Sequence, residues 1–95
     1  MMELNEVKEI IEREYDVKLY ARKINTTNTI TQYGKPFIEI RWNTYSKVDG
    51  YWMEVRENEN AKGCLYTSGY EQIPLSMVLA KLQAYAKQKT QMTLF

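Results

Sequence analysis

The sequence predicts an α+β fold: a helix, an antiparallel meander of three or four strands, and a second helix packed on one sheet face. Two observations carry most of this. Apolar residues recur at helical spacing in the first fourteen residues and again after Pro74, whereas between these segments apolar and polar residues alternate with a period of two. Polar, turn-forming clusters separate the alternating runs, and short connections between successive strands favour a meander. The 95 residues suit one domain. That domain is assigned to residues 1–90, with residues 91–95 as an apolar C-terminal tail.

The first helix is expected over residues 3–14. Leu4, Val7, Ile10 and Ile11 make one apolar stripe, with glutamates mostly on the other side. Glu3 and Glu6 suit the positive end of the helix dipole, and Glu9 and Arg13 stand four residues apart, at ion-pair spacing. From Val17 the period becomes two. Val17, Leu19 and Ala21 alternate with Lys18, Tyr20 and Arg22, so a first strand is expected over 16–24. Asn25 to Asn28 reads as a turn, and Thr29–Gln32 as a short strand extension. After a second turn at Tyr33-Gly34-Lys35-Pro36, Phe37–Trp42 is the clearest strand. It puts Ile38, Ile40 and Trp42 on one face and Phe37, Glu39 and Arg41 on the other. Asn43 to Gly50 is a polar loop. Tyr51–Arg56 follows as a strand with Tyr51, Met53 and Val55 inward, then a loop over 58–63 and a fourth short strand over 64–67. Gly69 ends that strand. Pro74 suits a helix start and Ser76 is an alternative cap. Leu75, Val78, Leu79, Leu82, Tyr85 and Ala86 form a wide apolar stripe, so the second helix is expected over 74–89.

Composition excludes several chemistries. With no histidine, a histidine general base, a His-based triad and a His-containing zinc site are ruled out. One cysteine, Cys64, makes no internal disulfide and no Cys-only zinc site; it reads as a small hydrophobe in or beside a strand. Glycines are scattered, so no phosphate loop forms, and the acids near Asp49 lack calcium-loop spacing. Glu54, Glu57 and Glu59 read as solvated. No enzyme, cofactor or metal is therefore expected. There is no membrane-length apolar run and no signal-peptide pattern, and a lone cysteine fits a reducing, cytoplasmic setting.

The formal charge of +1 conceals opposed segments. Residues 1–16 hold six acids and two bases, while residues 17–36 hold four bases and no acid. Residues 72–95 hold three lysines and no acid. If both basic segments share a face, a phosphate-tracking patch results. Aromatics are abundant as well. Tyr20, Trp52 and Tyr66 fall on the polar side of their strands and, with Lys18, Arg22 and Arg56, mark a candidate face. Such a face admits three readings: a stacking platform for single-stranded nucleic acid, a protein or dimer interface, or core beneath a helix.

The element order is shared with double-stranded-RNA-binding domains, but the similarity ends there. That family needs a lysine-rich start to its second helix, whereas this chain has Pro74-Leu75-Ser76-Met77-Val78 and its first base in that helix is Lys81. The folded domain resembles no other family. The chain closes on Gln91-Met92-Thr93-Leu94-Phe95. This resembles the bacterial sliding-clamp-binding motif: glutamine, an aliphatic residue, a small or acidic residue, then leucine and phenylalanine. The resemblance covers these five residues, with Met92 standing where leucine is usual. It implies a partner, the DNA polymerase III beta subunit, and roles for Gln91, Met92, Leu94 and Phe95. Leu94 and Phe95 would be apolar anchors, each worth ~1.5–3 kcal/mol of burial before ordering costs. Gln91 would hydrogen-bond the groove rim and Met92 would fill a shallow second pocket. An apolar end can instead fold back into a small core.

The leading expectation is a small non-enzymatic adaptor or inhibitor acting on the replication clamp. Its size and lack of catalytic chemistry suit an accessory protein of a phage or mobile element. The alternatives are a module that blocks a host or defence protein through its acidic helix or aromatic face, and a single-strand nucleic-acid binder.

Overall fold

A computed structural model describes residues 2–44 and 50–88. In chain order its elements are α1 (Leu4–Glu14), β1 (Tyr20–Ile24), β2 (Thr27–Gln32), β3 (Phe37–Asn43), β4 (Trp52–Arg56), β5 (Tyr66–Thr67) and α2 (Leu75–Tyr85). The strands form one antiparallel sheet in the order β1-β2-β3-β4-β5. The predicted α+β architecture holds, with helices packed against the sheet, but the meander has five strands rather than three or four.

α1 forms because its stripe finds a partner. Val7 and Ile11 are fully buried, and Leu4 packs beside them. The Glu3 backbone N–H donates to Glu6 Oε1 at 3.0 Å, occupying one of the donors that a helix start leaves unpaired. The ion pair that closes along this helix is Lys8–Glu12 at 3.1 Å, in place of the expected Glu9–Arg13. The helix ends where Tyr15 turns extended. Tyr15 is buried and donates its hydroxyl to the carbonyl of Leu79, while the Asp16 amide donates to Lys87 O at 2.7 Å. The exits of the two helices are thereby tied together.

The largest difference from expectation is β2. Its sequence, Thr-Asn-Thr-Ile-Thr-Gln, is nearly all polar and reads as a turn with a short extension, yet it is a six-residue internal strand between β1 and β3. The turn before it is only Asn25-Thr26, and Asn25 takes a φ of 55°, the left-handed conformation that asparagine tolerates well. β1 is correspondingly shorter than the expected 16–24: residues 16–19 are not strand, although Leu19 still turns inward. Asn28 is buried without cost to its amide, which donates to Thr44 Oγ1 at 2.9 Å. Gln32, also buried, accepts from the Lys18 amide at 3.1 Å and donates to Pro36 O at 2.8 Å. One side chain thus holds both the approach to β1 and the turn before β3.

The alternation over β3 and β4 is as expected. Ile38, Ile40, Trp42, Met53 and Val55 point inward, as does Tyr51 just before β4. Trp42 is fully buried, donates its indole N–H to Met2 O at 3.0 Å, and lies 5.3 Å from the Tyr51 ring. The last strand shrinks from the expected 64–67 to Tyr66–Thr67, and Cys64 is exposed rather than tucked beside a strand. The chain nevertheless follows β4 further, through Ser68 to Met53 O at 2.9 Å and a paired exchange between Ile73 and Tyr51. Between those anchors it bulges at Gly69, whose φ is 65°, and this throws Tyr70 fully into solvent. α2 starts after Pro74 rather than at the alternative cap Ser76, and ends at Tyr85, four residues before the expected 89. Val78, Leu82 and Ala86 bury its stripe in the shared core. Lys87 lies beyond the helix end; Lys89 and the tail are outside the described residues.

Candidate binding face

Residues opposite each other across a ladder share a face, so the registers define both sides of the sheet. The covered side holds the row Ile30, Ile40, Met53. The other side is left open by the helices, and four rows lie on it, one of them Ile24, Thr27, Asn43 beside the β1–β2 turn. One runs Tyr20, Thr31, Glu39, Glu54, Thr67 from β1 to β5. The next runs Arg22, Thr29, Arg41, Trp52. Phe37 and Arg56 form a shorter row at the opposite end.

The two central threonines are only 5% and 3% exposed although no helix covers them. Their side chains are short, and the long side chains of the neighbouring strands rise on both sides. The outcome is a trough with a threonine floor. A hollow of about 420 Å³ lies at its β1–β2 turn end, lined by Arg22, Asn25, Thr27, Thr29, Glu39 and Arg41 among others. A second hollow of about 300 Å³ lies on the β4–β5 side, between Arg41, Trp52, Glu54 and Tyr70. At one end Tyr20, Tyr33 and Phe37 form a ring cluster with centroids 5.8 and 6.1 Å apart.

Of the six residues expected to mark this face, four are brought together on it: Tyr20, Arg22, Trp52 and Arg56. Lys18 joins them from the approach to β1, with its ammonium 5.7 Å from the Tyr20 ring centre. Tyr66 does not. It pairs with Val55, a core residue, and so lies on the covered side, where its ring stacks on Tyr85 and carries Lys81 at 4.6 Å. The expected strand over 64–67 had the wrong partner face because its register against β4 is not readable from four residues. The described bases do not gather on one face: Lys18 and Arg22 lie with the open side, whereas Lys23, opposite Asn28, and Lys81, over Tyr66, lie on the covered side.

The cations of the open face differ in what holds them. Arg56 donates to Glu54 at 2.7 Å and to Ala61 O at 2.7 Å, so it fastens the loop after β4. The hydrogen bond from Glu54 and its charge raise the Arg56 pKa further above the usual guanidinium value. Arg41 lies 3.6 Å from Glu39 and its side chain is 53% exposed, a looser tie. Arg22 is exposed and makes no ion pair among the described residues. Arg41 and Glu39 were not singled out as site residues, although the β3 alternation already puts them on the polar side. Thr29 and Thr31 had no such signal, because their segment read as a short strand extension with nothing to place either threonine on a face.

Acidity is concentrated elsewhere. α1 packs against the covered side and exposes Glu3, Glu6, Glu9 and Glu14 to solvent. The molecule therefore has an acidic helix on one side, while the other carries Arg22, Arg41 and Arg56 together with Glu39 and Glu54. Among the described residues no three acidic or cysteine side chains gather as a metal-binding group, and no helix is long and apolar enough to cross a membrane. Gln91, Met92, Leu94 and Phe95 lie outside the described residues.

Compared with protein-family models, curated proteins and solved structures, the chain gave no significant match to any of them.

Proposed function

We propose that this protein is a small non-catalytic adaptor or inhibitor that binds the bacterial replication sliding clamp through Gln91-Met92-Thr93-Leu94-Phe95. The observation that carries the reading is the agreement of Gln91, Leu94 and Phe95 with the most restricted positions of the clamp-binding motif. A short apolar segment supplied to a groove is recognised by its side-chain anchors, and the folded body then serves as the carrier.

The test is clamp binding by the intact chain and by the Leu94→Ala/Phe95→Ala variant, followed by surface plasmon resonance. Loss of both anchors is expected to weaken binding at least ~100-fold. Equal binding by the two proteins, or binding by neither, refutes the proposal. If the tail is core instead, the same variant lowers the melting temperature by several degrees.

A second reading, a module that engages a host or defence protein, is favoured by the separation of charge between α1 and the open sheet face. Capture of a partner that survives removal of residues 91–95 and is lost on changing Glu6 and Glu9 distinguishes it.

A further inference from the structure

We propose that the trough between Arg22 and Arg41 binds the phosphate backbone of single-stranded DNA, with bases laid on Tyr20 and Trp52 at its rims. The choice of DNA rests on the clamp reading above; the chemistry of the trough does not.

Four features converge on this occupant. Arg22 and Arg41 stand in one row with Thr29 between them, two strand spacings or about 10 Å apart at the backbone. In the proposed complex both guanidiniums contact one phosphate above a floor that carries a hydroxyl, Arg41 giving up its 3.6 Å tie to Glu39. Rings lie on both flanks, since Tyr20 is half exposed on β1 and Trp52 follows Arg41 in the same row. Bases stack on such rings whatever their identity, which gives affinity without sequence choice. The indole of Trp52 is oriented by its N–H, which donates to Tyr70 O at 3.3 Å. Finally, the exposed acids of α1 lie behind the sheet, while the open side carries Lys18, Arg22, Arg41 and Arg56 against Glu39 and Glu54, a balance that favours a polyanion on the open side. A protein interface core is depleted of charge, whereas the centre of this face carries the row Arg22, Thr29, Arg41 beside Glu39 and Glu54, the acids already tied to Arg41 and Arg56.

The experiment is fluorescence anisotropy of a labelled thymidine oligomer of about 15 nucleotides with the intact chain. Binding is expected at about 50 mM salt, falling roughly 20-fold by about 200 mM if some three phosphates are neutralised. Arg22→Glu and Tyr20→Ala should each weaken it at least about fivefold. Both side chains are exposed, so the variants keep their fold, as far-ultraviolet circular dichroism checks. Glu9→Gln on α1 should leave affinity within about twofold or raise it. Leu94→Ala/Phe95→Ala should bind the oligomer normally, which separates this proposal from clamp binding. No binding at about 50 mM salt, or equal binding by Arg22→Glu, overturns it. A uridine oligomer bound more tightly than thymidine overturns the choice of DNA. Self-association that Arg22→Glu abolishes, with no oligomer bound, makes the face a protein interface instead.

Discussion

Replacing Gln32 with alanine should destabilise the protein out of proportion to the size of the change. Gln32 is 8% exposed and its amide makes two bonds, from the Lys18 amide at 3.1 Å and to the Pro36 carbonyl at 2.8 Å. Truncation leaves both backbone groups without that partner. A fully buried orphan costs ~1–3 kcal/mol. Here Lys18 is exposed and Pro36 half-buried, so water reaches both and the lower end applies. About 1 kcal/mol for each group gives about 2 kcal/mol in all. For a domain of this size that corresponds to a fall of roughly 8–16 °C in melting temperature. Thermal unfolding by circular dichroism measures it. Hydrogen exchange adds a local readout, because the Lys18 amide should lose protection before the β3 amides do. Gln32→Glu sharpens the test. A carboxylate still accepts from Lys18 but cannot donate to Pro36, and protonation restores a donor. The variant's carboxyl is therefore raised in the folded state, and its stabilising bond is complete below the unfolded value of about 4.3. That bond is lost as pH rises through the folded value. A melting temperature for Gln32→Ala within about 3 °C of the parent refutes the bridging role.

Two further predictions follow from local geometry. A Cβ at Gly50 would lie 2.8–2.9 Å from the Gln72 side chain, including its Cβ, where the Tyr51–Ile73 exchange holds the two segments together. Gly50→Ala should cost ~1–3 kcal/mol by denaturant unfolding, and Gln72→Gly in the same chain should recover much of it; additive effects of the two changes count against this contact. Burial, then the nearby charge of Glu14, raises the Tyr15 phenol above its ordinary value of 10.0. Its contribution is complete below about 10 and lost as pH rises through the higher folded value, so Tyr15→Phe should flatten the alkaline fall in stability.

Much of the covered face was legible in the sequence. Val7 and Ile11, the Ile38-Ile40-Trp42 set, the Tyr51-Met53-Val55 set, and Val78 with Leu82 all repeat at the period of their own element. Each element can be read within a few neighbouring residues because burying a stripe requires that spacing. β2 was not legible, since its threonines, Asn28 and Gln32 have the composition of a turn. They are buried by partners from elsewhere in the chain: Thr44 for Asn28, Lys18 and Pro36 for Gln32, and the long side chains of β1 and β3 for the threonines. Cys64 and Tyr66 show the reverse case. Cys64 read as a small hydrophobe in or beside a strand yet is exposed outside the β4 pairing, and Tyr66 read on the polar side yet its pairing with Val55 sends it under Lys81 and Tyr85.

By itself, the sequence determined the α+β class, the inward residues of both helices and of β3 and β4, the absence of histidine chemistry, and the five-residue segment from which a partner is proposed. Those properties depend on residue type and local period. Tertiary structure alone decided that Arg22, Thr29, Arg41 and Trp52 form one row, and that Arg56 is held by Glu54 and Ala61. It also decided that Lys18 and Arg22 lie on the open side while Lys23 and Lys81 lie on the covered one. A row across a sheet is made of residues from different strands, and only the pairing register, set by contacts distant in the chain, brings them into line.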